Sequence, residues 1–120
     1  MPNPIVKHRQ NAFNRQQGRC YYCGMPMWQR HPEEVAPLLG VKPRTVSGLQ
    51  CTAEHLVARQ DGGTNTKKNI AAACRTCNGR RHKATRPLSP PEYRQKVQGR
   101  VKAGKWHPAP IRRLGDLSAQ

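Results

Sequence analysis

Two Cys-x-x-Cys pairs, Cys20/Cys23 and Cys74/Cys77, stand 50 residues apart in a chain of 120. Spacing by two residues lets both thiolates of a pair reach one ion, and two pairs complete the tetrahedron that structural zinc prefers. One Zn²⁺ held by all four would tie Cys20 to Cys77 and add folding free energy. A staple of this kind suits the composition. Only 35% of residues are hydrophobic and 5% aromatic, which limits the core. Disulfides or unbridged thiols are the alternative use of these cysteines. The opening Met1-Pro2-Asn3-Pro4 lacks the apolar stretch of a signal peptide, and no segment approaches the roughly 20 apolar residues of a membrane span. A cytoplasmic, reducing setting is therefore expected, where paired cysteines hold metal more often than they bridge. Cys51 has no partner pair and reads as a small buried residue beside a strand.

Lys and Arg number 22 against 6 acidic residues, a formal net charge of +16. Such a surface repels itself unless a polyanion is near, and nucleic acid is the natural partner. A merely soluble basic surface or a disordered basic tail is the plainer alternative.

Eleven prolines and ten glycines predict many loops and short elements. Residues 1–8 read as a loose arm and residues 9–17 as a short helix ending at Gly18. Cys20 to Gly24 reads as a tight knuckle, with Gly24 free to take a positive φ. Met25 to Trp28 should pack beside it. Glu33 to Leu39 suits a short helix or a loop insert. Arg44 to Ala58 reads as one or two extended segments around Gly48, carrying Thr45, Val46, Leu49 and Cys51. Arg59 to Lys68 is a loop that bends at Asp61-Gly62-Gly63. Asn69 to Ala73 suits a returning strand ending at Cys74, and Arg75 to about Thr85 a helix stopped by Pro87. Ser89 is a candidate cap for a last helix with Tyr93, Val97 and Val101 on one face. Residues 104–120 are basic, Pro-containing chain expected to be partly disordered. The expected division is an arm and short helix over 1–19, a zinc-stapled domain over 20–86 and a basic helix and tail over 87–120.

The segment between the staple's halves carries its own chemistry. His55 can accept a proton from water near neutral pH. Glu54 beside it would face the other side of a regular strand, so a twist or bulge is needed for both to act on one centre. Asn78 and His82 are spaced i, i+4 and share a face of the predicted helix. That face, packed on the strand, would present an amide oxygen and an imidazole to the same ion as Glu54. Oxygen ligands favour Mg²⁺ or Mn²⁺, and imidazole admits other divalent transition metals. Plainer readings stand beside these. Glu54 suits a surface ion pair, Asn78 a hydrogen bond to the knuckle and Asn69 a turn. His82 also fits a phosphate-contacting run with Arg80, Arg81 and Lys83.

Glu54-His55, Gly62-Gly63, Asn69, Cys74-Arg75-Thr76-Cys77-Asn78 and His82, in this order, resemble the His-Asn-His (HNH) endonuclease motif in its zinc-ribbon-containing form. The resemblance is densest over residues 51–83 and reaches back to Cys20. It implies an α+β fold: a small ββα-metal (His-Me finger) core, stapled by the four-cysteine structural zinc site, with flanking helices. It also implies hydrolysis of DNA phosphodiester bonds with one divalent ion, His55 as general base, and 5′-phosphate and 3′-hydroxyl products. Glu54, Asn78 and His82 are then the catalytic ion's ligands, and Asn69 fixes the loop and orients His55. Glutamate departs from the Asp or His usual at the first position. Arg59, Arg75, Arg80, Arg81 and Lys83 would hold phosphates beside the break, with little sequence reading of double-stranded DNA. Arg94, Lys96, Arg100, Lys102, Lys105, Arg112 and Arg113 form a second basic stretch, read equally as solvated surface. The resemblance also suggests a bacterial or phage host and a monomer or homodimer. The rival readings are a non-catalytic zinc-stabilised nucleic-acid-binding module and a basic zinc ribbon embedded in RNA machinery.

Overall fold

In the computed structural model, which describes residues 3–112, the first helix, α1, spans Pro4–Arg15. It opens on Asn3, whose side chain accepts the Ile5 amide at 2.9 Å, with Pro4 in the first turn. Asn as N-cap followed by Pro, which has no amide to waste, is a strong helix start. The expected loose arm is therefore helical from Pro4 onward. The helix ends at Arg15, and the chain turns through left-handed Gln17 and Gly18 (φ +57° and +73°).

The knuckle forms as its spacing predicts. The Gly24 amide bonds to the Cys20 carbonyl at 3.0 Å, and Gly24 takes φ +77°. Tyr22, Met25, Met27 and Trp28 are buried around it. Residues 32–49 are more helical than expected. A 3₁₀ turn, Pro32–Glu34, leads into α2 (Ala36–Leu39), which stops at left-handed Gly40. A second 3₁₀ stretch, Pro43–Leu49, replaces the extended segment expected from Arg44. Pro43 presets φ at its start. The stretch is kinked at Val46 (φ −100°, ψ 17°), and Val46 and Leu49 are both fully buried.

Strand β1 (Cys51–His55) pairs antiparallel with β2 (Ile70–Cys74), from Cys51 opposite Cys74 to His55 opposite Ile70. Every β2 residue is buried. Small side chains at Ala71, Ala72 and Ala73 allow close approach by α1 and by α3 (Arg75–Lys83), each of which packs on both strands. Cys74 caps α3, its sulfur accepting the Cys77 amide at 3.4 Å. The expected strand, loop, strand, helix order is the observed one, and the unit is a ββα core.

Helix α4 (Pro90–Lys102) buries Tyr93 and Val97. The Ser89 side chain does not cap its backbone; the hydroxyl donates to Glu92 Oε1 at 2.8 Å. The chain beyond Gly104 is not loose as far as it is described. Trp106 and Ile111 are buried, and α5 (Ala109–Arg112) follows. Apolar anchors there outweigh the basic, Pro-containing composition. The expectation for residues 113–120, Arg113 included, lies outside the described residues. One buried cluster runs from Ala12 through the knuckle and sheet to Ile111. No helix among the described residues is long and apolar enough to cross a membrane.

Candidate active site and metal centre

Cys20, Cys23, Cys74 and Cys77 are buried, free of disulfides, and have sulfurs within 4.8 Å of one another. The Cys23 and Cys74 sulfurs are 3.9 Å apart. Zinc–sulfur bonds of about 2.3 Å in a tetrahedron set sulfurs about 3.8 Å apart, so the cluster fits zinc. Burial pushes the Cys20 thiol up, but hydrogen bonds from Cys23, Cys74 and Cys77 outweigh it and hold it well below its usual range. Bonds to Cys20 and Cys74 drive Cys23 well above its usual range, and bonds to Cys20, Cys23 and Cys74 do the same to Cys77. Amides of Tyr22 and Cys74 point at the Cys20 sulfur, at 3.4 and 3.2 Å. The Trp106 indole donates to the Cys77 sulfur at 3.3 Å. Nothing in the sequence marks Trp106 for this place except that it is an aromatic in a basic segment. Cys51 is buried on β1, and burial pushes its thiol up to about 11.

Beside the staple lies a second constellation. Glu54 is wholly buried. Its Oε2 accepts the Tyr22 hydroxyl at 2.9 Å and Arg81 Nη1 at 3.3 Å, while its Oε1 stands 2.7 Å from His82 Nε2. Burial, reinforced by the Glu54 charge, raises the Tyr22 phenol far beyond reach of titration, so it stays a donor. The Asn78 amide nitrogen donates to Thr52 Oγ1 (3.0 Å) and the Ala53 carbonyl (3.1 Å). A carbonyl only accepts, which identifies that atom as nitrogen. Asn78 Oδ1 has no hydrogen-bond partner among the described residues. Pairing is unbroken through His55, so no bulge separates Glu54 from His55. His55 is instead the last residue of β1, where the sheet gives way to a cleft of about 690 Å³. Glu54, His55, Asn78 and His82 all line it, with Arg59 and Lys83. One carboxylate oxygen, one amide oxygen and one imidazole nitrogen suit a hard divalent ion. Adjacent ligands of an octahedral ion at about 2.1 Å stand about 3.0 Å apart, close to the 2.7 Å between Glu54 Oε1 and His82 Nε2.

His55 Nε2 lies 2.8 Å from Asn65 Oδ1, and Arg59 Nη2 donates to the same oxygen at 3.3 Å. Guanidinium only donates, so the shared atom is the amide oxygen and His55 Nε2 carries the proton. Neutral His55 therefore keeps its lone pair on Nδ1. Asn69 does not touch His55. Its Oδ1 accepts the Val57 amide (2.8 Å), and its Nδ2 donates to the carbonyls of Val57 (3.0 Å) and Thr64 (2.8 Å). Asn69 thus laces the loop that carries Asn65. A Cβ on Gly63 would collide with the Val57 carbonyl, so this loop admits only glycine there. Asn65 escapes sequence reasoning because Thr64-Asn65-Thr66 looks like any polar turn.

The basic residues divide. Arg59, Arg75, Arg80 and Lys83 are exposed. Arg75, Arg80 and Lys83 surround a notch of about 290 Å³ with Gly48 and Gly79. Arg80 also stacks 4.6 Å from the Trp106 ring and donates to its carbonyl. Arg81 corrects the expectation of a phosphate contact. It is 5% exposed, and its guanidinium is bonded to Glu54 and to the carbonyls of His55, Leu56 and Leu88. It is the buried counter-charge of Glu54.

A family model described as HNH endonuclease matches residues 41–84, which hold β1, the loop, β2 and α3. No curated protein and no solved structure matches the chain.

Proposed function

We propose, from the match of residues 41–84 to the HNH endonuclease model, that this chain hydrolyses phosphodiester bonds in double-stranded DNA. The observation that carries the reading is the convergence of Glu54, His55, Asn78 and His82 on one cleft beside the cysteine cluster. Glu54 Oε1, Asn78 Oδ1 and His82 Nε2 would hold a catalytic Mg²⁺ or Mn²⁺, and the four cysteines would hold structural Zn²⁺. The divalent ion, when bound, neutralises charge growing on the phosphate and the leaving oxygen. His55 takes the proton of the attacking water on Nδ1, because Asn65 keeps the proton on Nε2. Asn69 acts on His55 at one remove, by shaping the loop that presents Asn65. Arg59 and Lys83 hold phosphates at the cleft, and Arg75 and Arg80 the next ones along α3. Such contacts give affinity without sequence reading.

The net charge of +16 supports a polyanionic partner. So does a groove of about 510 Å³ between the knuckle and α4, lined by Arg19, Arg94 and Lys102 without an acidic residue. We read residues 20–86 as the catalytic unit, with residues 87–120 extending the basic surface. A cytoplasmic setting and action as a monomer or as paired subunits complete the proposal.

The test is nicking of supercoiled plasmid by zinc-loaded protein with Mg²⁺ or Mn²⁺, with and without chelator. Nicking is expected, and His55→Ala should slow it by about 10²–10⁴-fold. Binding without nicking under every divalent metal would leave a non-catalytic module. Unchanged nicking by His55→Ala would remove the base.

A further inference from the structure

Tyr22 sits inside the first cysteine pair, yet its hydroxyl reaches out of the knuckle to Glu54. The O–O distance is 2.9 Å, and both residues are fully buried. The ring has little freedom. Tyr21 and Tyr93 meet it edge to face at 5.1 and 4.8 Å, and its own amide is tied to the Cys20 sulfur. A cysteine cluster that orders residues 20–23 therefore orders this hydroxyl. The hydroxyl shares Glu54 Oε2 with Arg81, so both donors hold one carboxylate oxygen. The other, Oε1, is left facing His82 and the cleft.

We propose that Tyr22 is a positioning residue through which the zinc knuckle sets the rotamer of the catalytic carboxylate and the oxygen it turns toward His82 and the cleft. This rests on the nuclease reading above. It also gives a physical reason for glutamate at this place. The extra methylene carries the carboxylate deep enough to meet Tyr22 and Arg81 on one oxygen while offering the second. Without the hydroxyl, Oε2 keeps a single donor at 3.3 Å, and the carboxylate loses the restraint that turns Oε1 outward. Hydrogen-bond partners of metal ligands commonly contribute about 10–100-fold to metal affinity or activity.

The experiment compares full-length, zinc-loaded wild type with Tyr22→Phe. Zinc content, melting, Mn²⁺ binding by calorimetry and the Mn²⁺ dependence of nicking are measured. Tyr22→Phe should retain zinc and bind Mn²⁺ about 10–100-fold more weakly, with the nicking rate largely restored at saturating Mn²⁺. Tyr93→Phe is the packing control, because that phenol bonds the Cys77 carbonyl at 2.7 Å and not Glu54. Its Mn²⁺ affinity should match wild type. Should Tyr22→Phe fail to fold, Glu54→Asp supplies the second route. The shortened carboxylate, drawn back from Tyr22 and Arg81, should weaken Mn²⁺ binding while zinc is retained, and wild-type affinity there would overturn the proposal. Mn²⁺ affinity of Tyr22→Phe within twofold of wild type, or equal weakening by Tyr93→Phe, would also overturn it. Wild type that neither binds Mn²⁺ nor nicks would instead overturn the nuclease reading itself.

Discussion

Arg81 and Glu54 meet where both side chains are almost wholly buried, and each depends on the other's charge. Removing one partner of such a pair leaves the other uncompensated, at a cost of about 3–5 kcal/mol. Arg81→Met should therefore lower the unfolding free energy of the zinc-loaded protein by about that much in urea titrations. A loss under about 1 kcal/mol would fit a surface arginine instead. In sequence, Arg81 is one of four consecutive basic residues, and nothing local says which of them turns inward. Glu54 and His55 were legible because their chemistry is unusual in so basic a chain. Asn65 and Tyr22 were not, because their contacts with His55 and Glu54 exist only once the loop and knuckle fold back onto β1. His107 adds a pH dependence. Burial holds its imidazole down at about 4, and its Nε2 has no hydrogen-bond partner. Between pH 6.5 and 4 the unfolded chain takes up a proton that the folded one refuses, so stability falls as pH drops through that window. Acid also weakens zinc binding, but equally in both proteins compared. His107→Phe should lose less of its urea midpoint than wild type between pH 7 and pH 5.

Elements whose sequence signal is local came through well. The β2–α3 unit shows a short apolar run, a cysteine and then a stretch free of proline, and it folds as strand and helix. The kinked 3₁₀ stretch Pro43–Leu49 did not, since Thr45 and Val46 favour strands in isolation and burial of Val46 and Leu49 in the core decided otherwise. The start of α1 was readable from Asn3-Pro4, but the dipeptide also suits a flexible arm. The loop between the strands has the tightest steric demand in the site. Gly63→Ala would force the Val57 carbonyl aside and disturb the lacing by Asn69. Plasmid nicking should fall by about tenfold or more with a small change in melting, because the loop unfolds locally at little global cost. Wild-type nicking by this variant would show that the loop does not hold His55.

At the scale of the molecule, the two cysteine pairs join segments that otherwise share a modest core. One pair follows α1, and the other spans the end of β2 and the first turn of α3. Stripping the metal should abolish cooperative melting rather than merely lower the midpoint, and Cys74→Ser should reproduce this. Normal melting by Cys74→Ser would contradict the structural zinc. The staple was the most legible feature of the sequence because four cysteines at this spacing have few other uses in a chain of this kind. How far the C-terminal segment joins the core was not legible, since Trp106 reaches Cys77 across 29 positions. That contact has an optical consequence. Of the two tryptophans, Trp28 is bonded to the Val46 carbonyl, while Trp106 points its N–H at the Cys77 sulfur of the four-cysteine cluster. In a Trp28→Phe protein, the remaining indole's fluorescence would report occupancy of the cysteine cluster, a built-in gauge that needs no added dye.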